Sequence, residues 1–267
     1  MIPGIGIGVG FYPLGQGLTP NILSNLGLWL RGDVAYSSIS PNVPAVNGAG
    51  IRRWPDLSGN SRNADQATSG LRPTLLTAGI NANPAISFDG LDDFLGLIAG
   101  LNLVQNVAGA TAFAVFSTPS AAVAAAQTIF AAATGVGTTG RVVVQRIPTG
   151  PANQIGGRRL DADSFAGPSG GATSTSPTII CGEFNYAAAI ATLGLNGVDI
   201  ATTNPFQTAG STSNTASTAI AIGANAAGLA CFPGLIAEII VYQRILTAAE
   251  KIAINRYLGN RYNISVP

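Results

Sequence analysis

Short apolar runs, each broken by Gly, Pro, Asn or Ser, recur along the whole chain and predict strands rather than helices. Residues 26–33 set Leu28 and Leu30 on one face and Trp29 on the other. Residues 111–117 set Phe113 and Val115 opposite Phe116, and 128–132, 141–147, 154–160, 177–188 and 218–223 read as further strands. Between 191–195 and 198–202 stands Asn196-Gly197, the strongest short signal for a hairpin. About a dozen short strands with turn signals every ~8–12 residues call for a β-sandwich.

The pattern changes once, at residues 232–262. Strict alternation puts Leu235, Ala237, Ile239 and Val241 on one face, and Ile236, Glu238, Ile240 and Tyr242 on the other. Thr247 then reads as a helix N-cap and Glu250 closes a capping box. Helical spacing gathers Ala253, Ile254, Tyr257 and Leu258 into one stripe. A strand apolar on both faces, followed by an amphipathic helix, needs a sheet around it and a groove for the helix. Glu238, alone among apolar neighbours, needs a partner, for which Arg244, Arg256 and Arg261 are candidates.

Composition narrows the picture. Charged residues make up 9% of the 267, against roughly 25% for an ordinary soluble protein. There is a single lysine, Lys251, and no histidine. No run of ~18 apolar residues is free of Gly and Pro, so the hydrophobicity does not come from a spanning helix. Net charge is +1, and basic residues cluster only as Arg52-Arg53 and Arg158-Arg159, which argues against nucleic acid and anionic membrane as partners. Cys181 and Cys231 form no disulfide framework; free thiols and a single bridge both remain open. Residues 1–22 form an extended Gly-rich arm carrying Ile2, Ile5, Ile7, Val9, Phe11 and Tyr12, with no basic segment of a signal peptide. The arm reads equally as a docking segment in an oligomer and as an edge strand of the domain at 23–267.

Without histidine, imidazole-based triads, metal sites and acid–base catalysis are excluded. Glu183 and Glu238 are lone acids on their strands. Asp89, Asp92 and Asp93 crowd three carboxylates into five residues, read here as a solvated turn ahead of a cation site. No cofactor is expected. Asp56, with Ser58 and Gly59, reads as an Asx-type turn, and Trp54 as a cover for one end of the core. A sugar site would need exposed aromatics beside polar groups. Phe165 and Phe206, with Arg158, Arg159, Asp161 and Asp163, are the candidates.

Five separated patterns, in order, resemble the LamG-like (concanavalin A-like) family. They are Leu28-Trp29-Leu30-Arg31-Gly32-Asp33; Trp54 with Asp56-Leu57-Ser58-Gly59-Asn60 and Asn63-Ala64; Phe88-Asp89-Gly90-Leu91-Asp92-Asp93-Phe94-Leu95; Leu193-Gly194-Leu195-Asn196-Gly197; and the last strand with its helix. The resemblance implies an all-β jelly-roll sandwich with one short C-terminal helix, and carbohydrate as a common ligand class. It also makes Arg31-Gly32-Asp33 a strand end rather than an adhesion motif, and residues 84–97 a hairpin. The family's hydrolases carry Glu-x-Asp-x-x-Glu on one strand, which this chain lacks, so no enzymatic activity is expected. Low charge, the apolar arm and the missing catalytic groups together suggest a structural subunit of a virus particle: a bacteriophage capsid decoration protein, head fibre or tail component. It would be made in the host cytoplasm, with other virion proteins and copies of itself as partners. The alternative is a carbohydrate-binding module that recognises a cell-surface glycan.

Overall fold

The computed structural model describes residues 19–99, 101–133, 140–150 and 152–267. The arm positions Ile2, Ile5, Ile7, Val9, Phe11 and Tyr12 lie outside the described residues. In chain order the strands begin with β1 (Leu26–Arg31), β2 (Tyr36–Ile39), β3 (Asn42–Pro44), β4 (Arg53–Trp54), β5 (Ala64–Asp65) and β6 (Thr74–Ile80). Next come β7 (Asn83–Asp89), β8 (Leu95–Leu97), β9 (Ala110–Ser117), β10 (Gln127–Ala133), β11 (Gly140–Ile147) and β12 (Ala152–Gly156). The chain closes with β13 (Ser169–Ala172), β14 (Thr178–Asn185), β15 (Ile190–Leu195), β16 (Val198–Thr203), β17 (Ala219–Ile222), β18 (Pro233–Tyr242) and the helix α1 (Ala248–Tyr262).

These strands form two antiparallel sheets packed face to face, the jelly-roll sandwich that the sequence predicts. The first runs β16-β15-β14-β9-β18-β7-β6, with β1 also on β18; the second runs β13-β12-β11-β10-β17-β8-β5-β4-β2-β3. Between them Leu28, Leu30, Ile86, Phe88, Phe116 and Val241 meet Trp54, Leu95, Phe130, Val142, Ile220 and Ile222 in the main core. On the outer face of the first sheet, Trp29, Phe113, Val115, Ile179, Ile240 and Tyr242 are covered by Ile254, Leu258 and Tyr262 of α1. A sheet buried on both faces explains why β9 and β18 are nearly continuous apolar runs. Among the described residues no such helix covers the second sheet, and its outer face carries a row of directly opposed residues across eight strands: Gly156, Val143, Ala131, Ala221, Gly96, Asp65, Arg53 and Tyr36.

Three expectations need correction. Strict alternation along β18 fails because the register slips between Ile236 and Glu238, leaving Ala237 as a bulge. Ile236 therefore joins Ile239 and Val241 in the main core, while Ala237, Ile240 and Tyr242 face α1 and Leu235 lies on the same outer face. Residues 84–97 are not a hairpin: β7 pairs with β6 and β18, whereas β8 pairs with β5 and β17 in the opposite sheet. The Asp89-Gly90 turn thus carries the chain across the sandwich. Finally, the buried side of α1 is Ile254, Asn255, Leu258, Gly259 and Tyr262, rotated from the expected stripe, with Ala253 only half-buried. The Thr247–Glu250 capping box is present as expected. So is the tight hairpin at Asn196 (φ 48°) and Gly197 (φ 83°) joining β15 to β16.

Both cysteines are free thiols, Cys181 buried and Cys231 half-buried. Trp54 is fully buried, so it belongs to the core rather than covering its end. Asp56 accepts from the backbone N–H of Trp29, Ser58 and Arg62, tying its turn to β1. In the Arg31-Gly32-Asp33 segment, Asp33 pairs with Arg31 (2.6 Å) and Arg261 (3.0 Å). A Cβ on Gly32 would stand 2.6 Å from the Pro84 carbonyl oxygen, so glycine is what lets β1 pass the start of β7.

Candidate functional site

The sequence-predicted ligand loop is where expectation and structure part. Arg158, Arg159, Asp161 and Asp163 do gather at one end of the sandwich, but they bind the protein itself. The extra residue of a bulge in β11 is Arg141, fully buried, and its guanidinium donates to Asp161 (3.0 Å), to the Ser213 hydroxyl and to the Thr215 carbonyl. The other carboxylate oxygen of Asp161 accepts from Ser213 (3.1 Å) and Thr215 (2.6 Å). Burial works to raise the pKa of Asp161, but these hydroxyls and Arg141 hold it below the ordinary carboxylate range. Arg158 donates to the Asp161 carbonyl, and Arg159 to the Ser211 carbonyl and the Thr208 hydroxyl. Asp163 is buried and caps the Leu160 N–H (2.9 Å). Phe206 is 4% exposed and packs 4.7 Å from the Tyr186 ring, so it is core and not a sugar platform. Phe165 is half-buried over Gly156, on the outer face of the second sheet. The loop is a structural knot, organised by an arginine whose only sequence signal was a charge at the head of a valine run.

Glu238 is likewise structural. It is 1% exposed and accepts from Trp29 Nε1 (2.6 Å), Tyr257 (2.9 Å) and Tyr262 (2.8 Å), with Arg261 at 3.6 Å. Burial pushes its pKa up against those donors. Of the arginines expected to partner it, Arg261 does so; Arg244 pairs with Glu250, and Arg256 donates to the Pro267 carbonyl.

A cleft of ≈ 320 Å³ opens at the other end of the first sheet. The helix α1 runs back along β18 and ends where the Tyr262 hydroxyl reaches Ala237 and Glu238, leaving the start of β18 uncovered. The cleft is lined by Ser87, Phe88 and Asp89 of β7, by Pro233, Gly234 and Leu235 of β18, and by Ser117, Thr118 and Pro119 at the end of β9. Leu235 is the opposed partner of both Ser87 and Ser117, so the two serines flank it, one on each neighbouring strand. Gly234 has φ +147°, and a Cβ there would stand 2.3 Å from the Ser117 carbonyl oxygen. Only glycine permits this close strand approach at the cleft floor.

Some polar groups of the cleft are spent on the protein and some are not: the Thr118 hydroxyl donates to the Ser120 carbonyl (2.8 Å). Asp89 uses Oδ1 to accept from the N–H groups of Leu91 (2.8 Å), Asp92 (3.2 Å) and Asp93 (3.3 Å). Its Oδ2 and the hydroxyls of Ser87 and Ser117 make no hydrogen bond among the described residues. Burial works to raise the Asp89 pKa, yet the three N–H groups keep it below the ordinary range, so the group is a carboxylate at neutral pH. Asp93 is the reverse case. Its burial, aided by the charges of Asp89 and Asp92 and opposed by the Asp89 N–H, pushes it up to about 6. Carboxylate oxygens of Asp89, Asp92 and Asp93 lie within 4.8 Å of one another, and no arginine or lysine among the described residues pairs with them. With Asp89 Oδ1 and Asp93 Oδ2 both engaged on backbone N–H groups, the triplet has the geometry of a braced turn. Ser87 and Ser117 escaped sequence reasoning because a lone serine inside an apolar strand carries no motif.

No family model and no curated protein matches the chain. Solved structures do. A Trypanosoma rangeli sialidase in complex with the inhibitor DANA superposes with a TM-score of 0.57 at 12% identity, over 86% of this chain and 32% of the sialidase. The CBM40 of Ruminococcus gnavus IT-sialidase, bound to α2,3 sialyllactose, superposes with a TM-score of 0.50 at 20% identity, over 64% of this chain and 95% of that domain. The chain thus spans about a third of the sialidase. At these identities the likeness is one of fold: a lectin-like β-sandwich of the kind found in carbohydrate-binding domains.

Proposed function

We propose that this chain is a glycan-recognition module and that the cleft between β7, β18 and β9 is its sugar site. The observation that carries the reading is the set of three unengaged polar groups, Ser87 Oγ, Ser117 Oγ and Asp89 Oδ2, in a cleft whose other walls are Pro119, Pro233 and Leu235. Sugars are recognised by hydroxyl and carboxylate groups that are free to bond, set beside apolar surface for the ring face. The cleft, at ≈ 320 Å³, falls at the low end of the roughly 300–1,000 Å³ of ligand pockets, room for a terminal sugar. The architecture supports the same class, since the CBM40 that it resembles is bound to sialyllactose.

Binding without turnover fits the glutamates. Glu238 is consumed by its three donors, Glu183 pairs with Lys251 (2.7 Å) and Glu250 with Arg244 (2.8 Å). Composition suggested a virion subunit; the likeness to sialidase and CBM40 structures supports the glycan reading better. Testing is direct: probe the full chain on a glycan array, then repeat with the S87A/S117A double variant and, separately, with Y36F and R53A on the outer face of the second sheet. Saturable binding weakened about tenfold or more by the serine changes and untouched by the other two supports the cleft. Binding lost only with Tyr36 or Arg53 would move the site to the second sheet.

A further inference from the structure

We infer that Arg146, which lies outside the cleft lining, is the residue that positions the cleft wall formed by Thr118 and Pro119; this rests on the glycan reading above. Residues 118–126 join β9 to β10 and so carry the chain from the first sheet to the second. Of residues 119–126 only Val123 is buried. None of the eight makes a backbone–backbone hydrogen bond among the described residues. A run of Pro, Ser and Ala without such bonds has little of its own to hold it in place. Side chains supply the hold. Arg146 is 1% exposed, on the same face of β11 as the core residues Val142 and Val144. Its Nη2 donates to the carbonyls of Ser120 (2.9 Å) and Ala121 (3.2 Å), and its Nη1 to the side chain of Gln127 (2.8 Å), the first residue of β10. The Thr118 hydroxyl donates to the same Ser120 carbonyl (2.8 Å), so the cleft wall and the guanidinium meet on one oxygen. Thr173 adds a single bond to the Ala121 carbonyl. Stability alone does not account for the guanidinium. No carboxylate among the described residues pairs with it, its Nε has no partner, and burial unopposed by any charge pushes its pKa down. A buried cation without a counter-ion is a poor source of stability. What it supplies here is a planar group fixed on β10 by one arm and closed on two adjacent loop carbonyls by the other.

The test runs the full chain, R146M and R146K side by side on the glycan array, with melting temperature and backbone amide order parameters at residues 120–122 measured on the same samples. Methionine fills the space without the charge, and the freed carbonyls of Ser120 and Ala121, on exposed residues, can turn to water. R146M should therefore melt close to the parent. Its order parameters at 120–122 should fall from the rigid range, about 0.85, to below about 0.6. Apparent glycan affinity should fall about tenfold or more. R146K keeps a donor for the carbonyls and should lose less; a greater loss in R146K than in R146M overturns the inference. Should R146M not fold, R146K carries the same comparison against the parent. Unchanged affinity, whether the loop loosens or the melting temperature drops, makes Arg146 a structural residue only and overturns the inference while the glycan reading stands. Affinity lost with the order parameters unchanged overturns it as well. A parent chain that binds no glycan on the array sinks the glycan reading itself, and the inference with it.

Discussion

At the scale of single residues, the carboxylates divide by what they bond to. Glu238 sits fully buried under Trp29, Tyr257 and Tyr262, so replacing it with glutamine should lower stability by roughly 1–3 kcal/mol, read as a shift in the denaturation midpoint. No shift would mean that the donors are satisfied elsewhere. Asp93 should act in the opposite sense. Its folded pKa, about 6, exceeds the ordinary value of 3.8, so the folded state holds the proton more tightly than the unfolded one. Its favourable contribution is complete below about pH 4 and is lost as pH rises toward 6. D93N should therefore raise the melting temperature at pH 7 relative to the parent and have little effect at pH 4. At this scale the sequence was a partial guide. It named Glu238 as needing partners and Asp56 as a turn acid. It misplaced Phe206, because an aromatic in a Thr/Asn-rich stretch looks like a loop residue until tertiary packing against Tyr186 is known.

Among the elements, α1 is the clearest case of local chemistry deciding structure. Glu250 accepts from the Thr247 N–H and hydroxyl and from Arg244, and its pKa falls to about 2, chiefly through Arg244. A lowered folded pKa contributes stability above the ordinary value near 4.5 and loses it as pH drops toward 2. E250Q should thus cost about 1 kcal/mol at pH 7 and almost nothing at pH 2, measured by thermal melts across that range. The capping box, the Asn196-Gly197 hairpin and the two faces of β1 were legible because each is written in adjacent residues. The bulge at Ala237 was not, since both faces of β18 are apolar and a slip of one residue leaves no mark in the hydrophobic pattern. The crossing from β7 to β8 was hidden for a related reason. Asp89-Gly90 marks a turn, but nothing local says which sheet the chain enters next.

For the molecule as a whole, the sandwich was readable from the spacing of strands and turns, while the cleft was not. It is built from Ser87, Ser117 and Gly234, which lie far apart in sequence and meet only because β18 runs between β7 and β9. Closing that approach offers a test of the whole site. G234A forces a Cβ to 2.3 Å from the Ser117 carbonyl, so it should lower stability by roughly 1–3 kcal/mol and weaken glycan binding together. Loss of stability with binding intact at low temperature would detach the site from this strand junction.

The placement of β18 bears on how the chain acquires its structure. One long flank of β18 pairs with β9; the other is shared end to end by β7 and β1. The strand that joins all three is thus the last of the sandwich's described strands to leave the ribosome. Until it emerges, β9 and β1 have no common neighbour, and the apolar faces destined for both clusters stay open. Nascent chains halted before residue 233 should accordingly be sensitive to protease and bound by chaperones, and folding should complete in one late step once β18 is free.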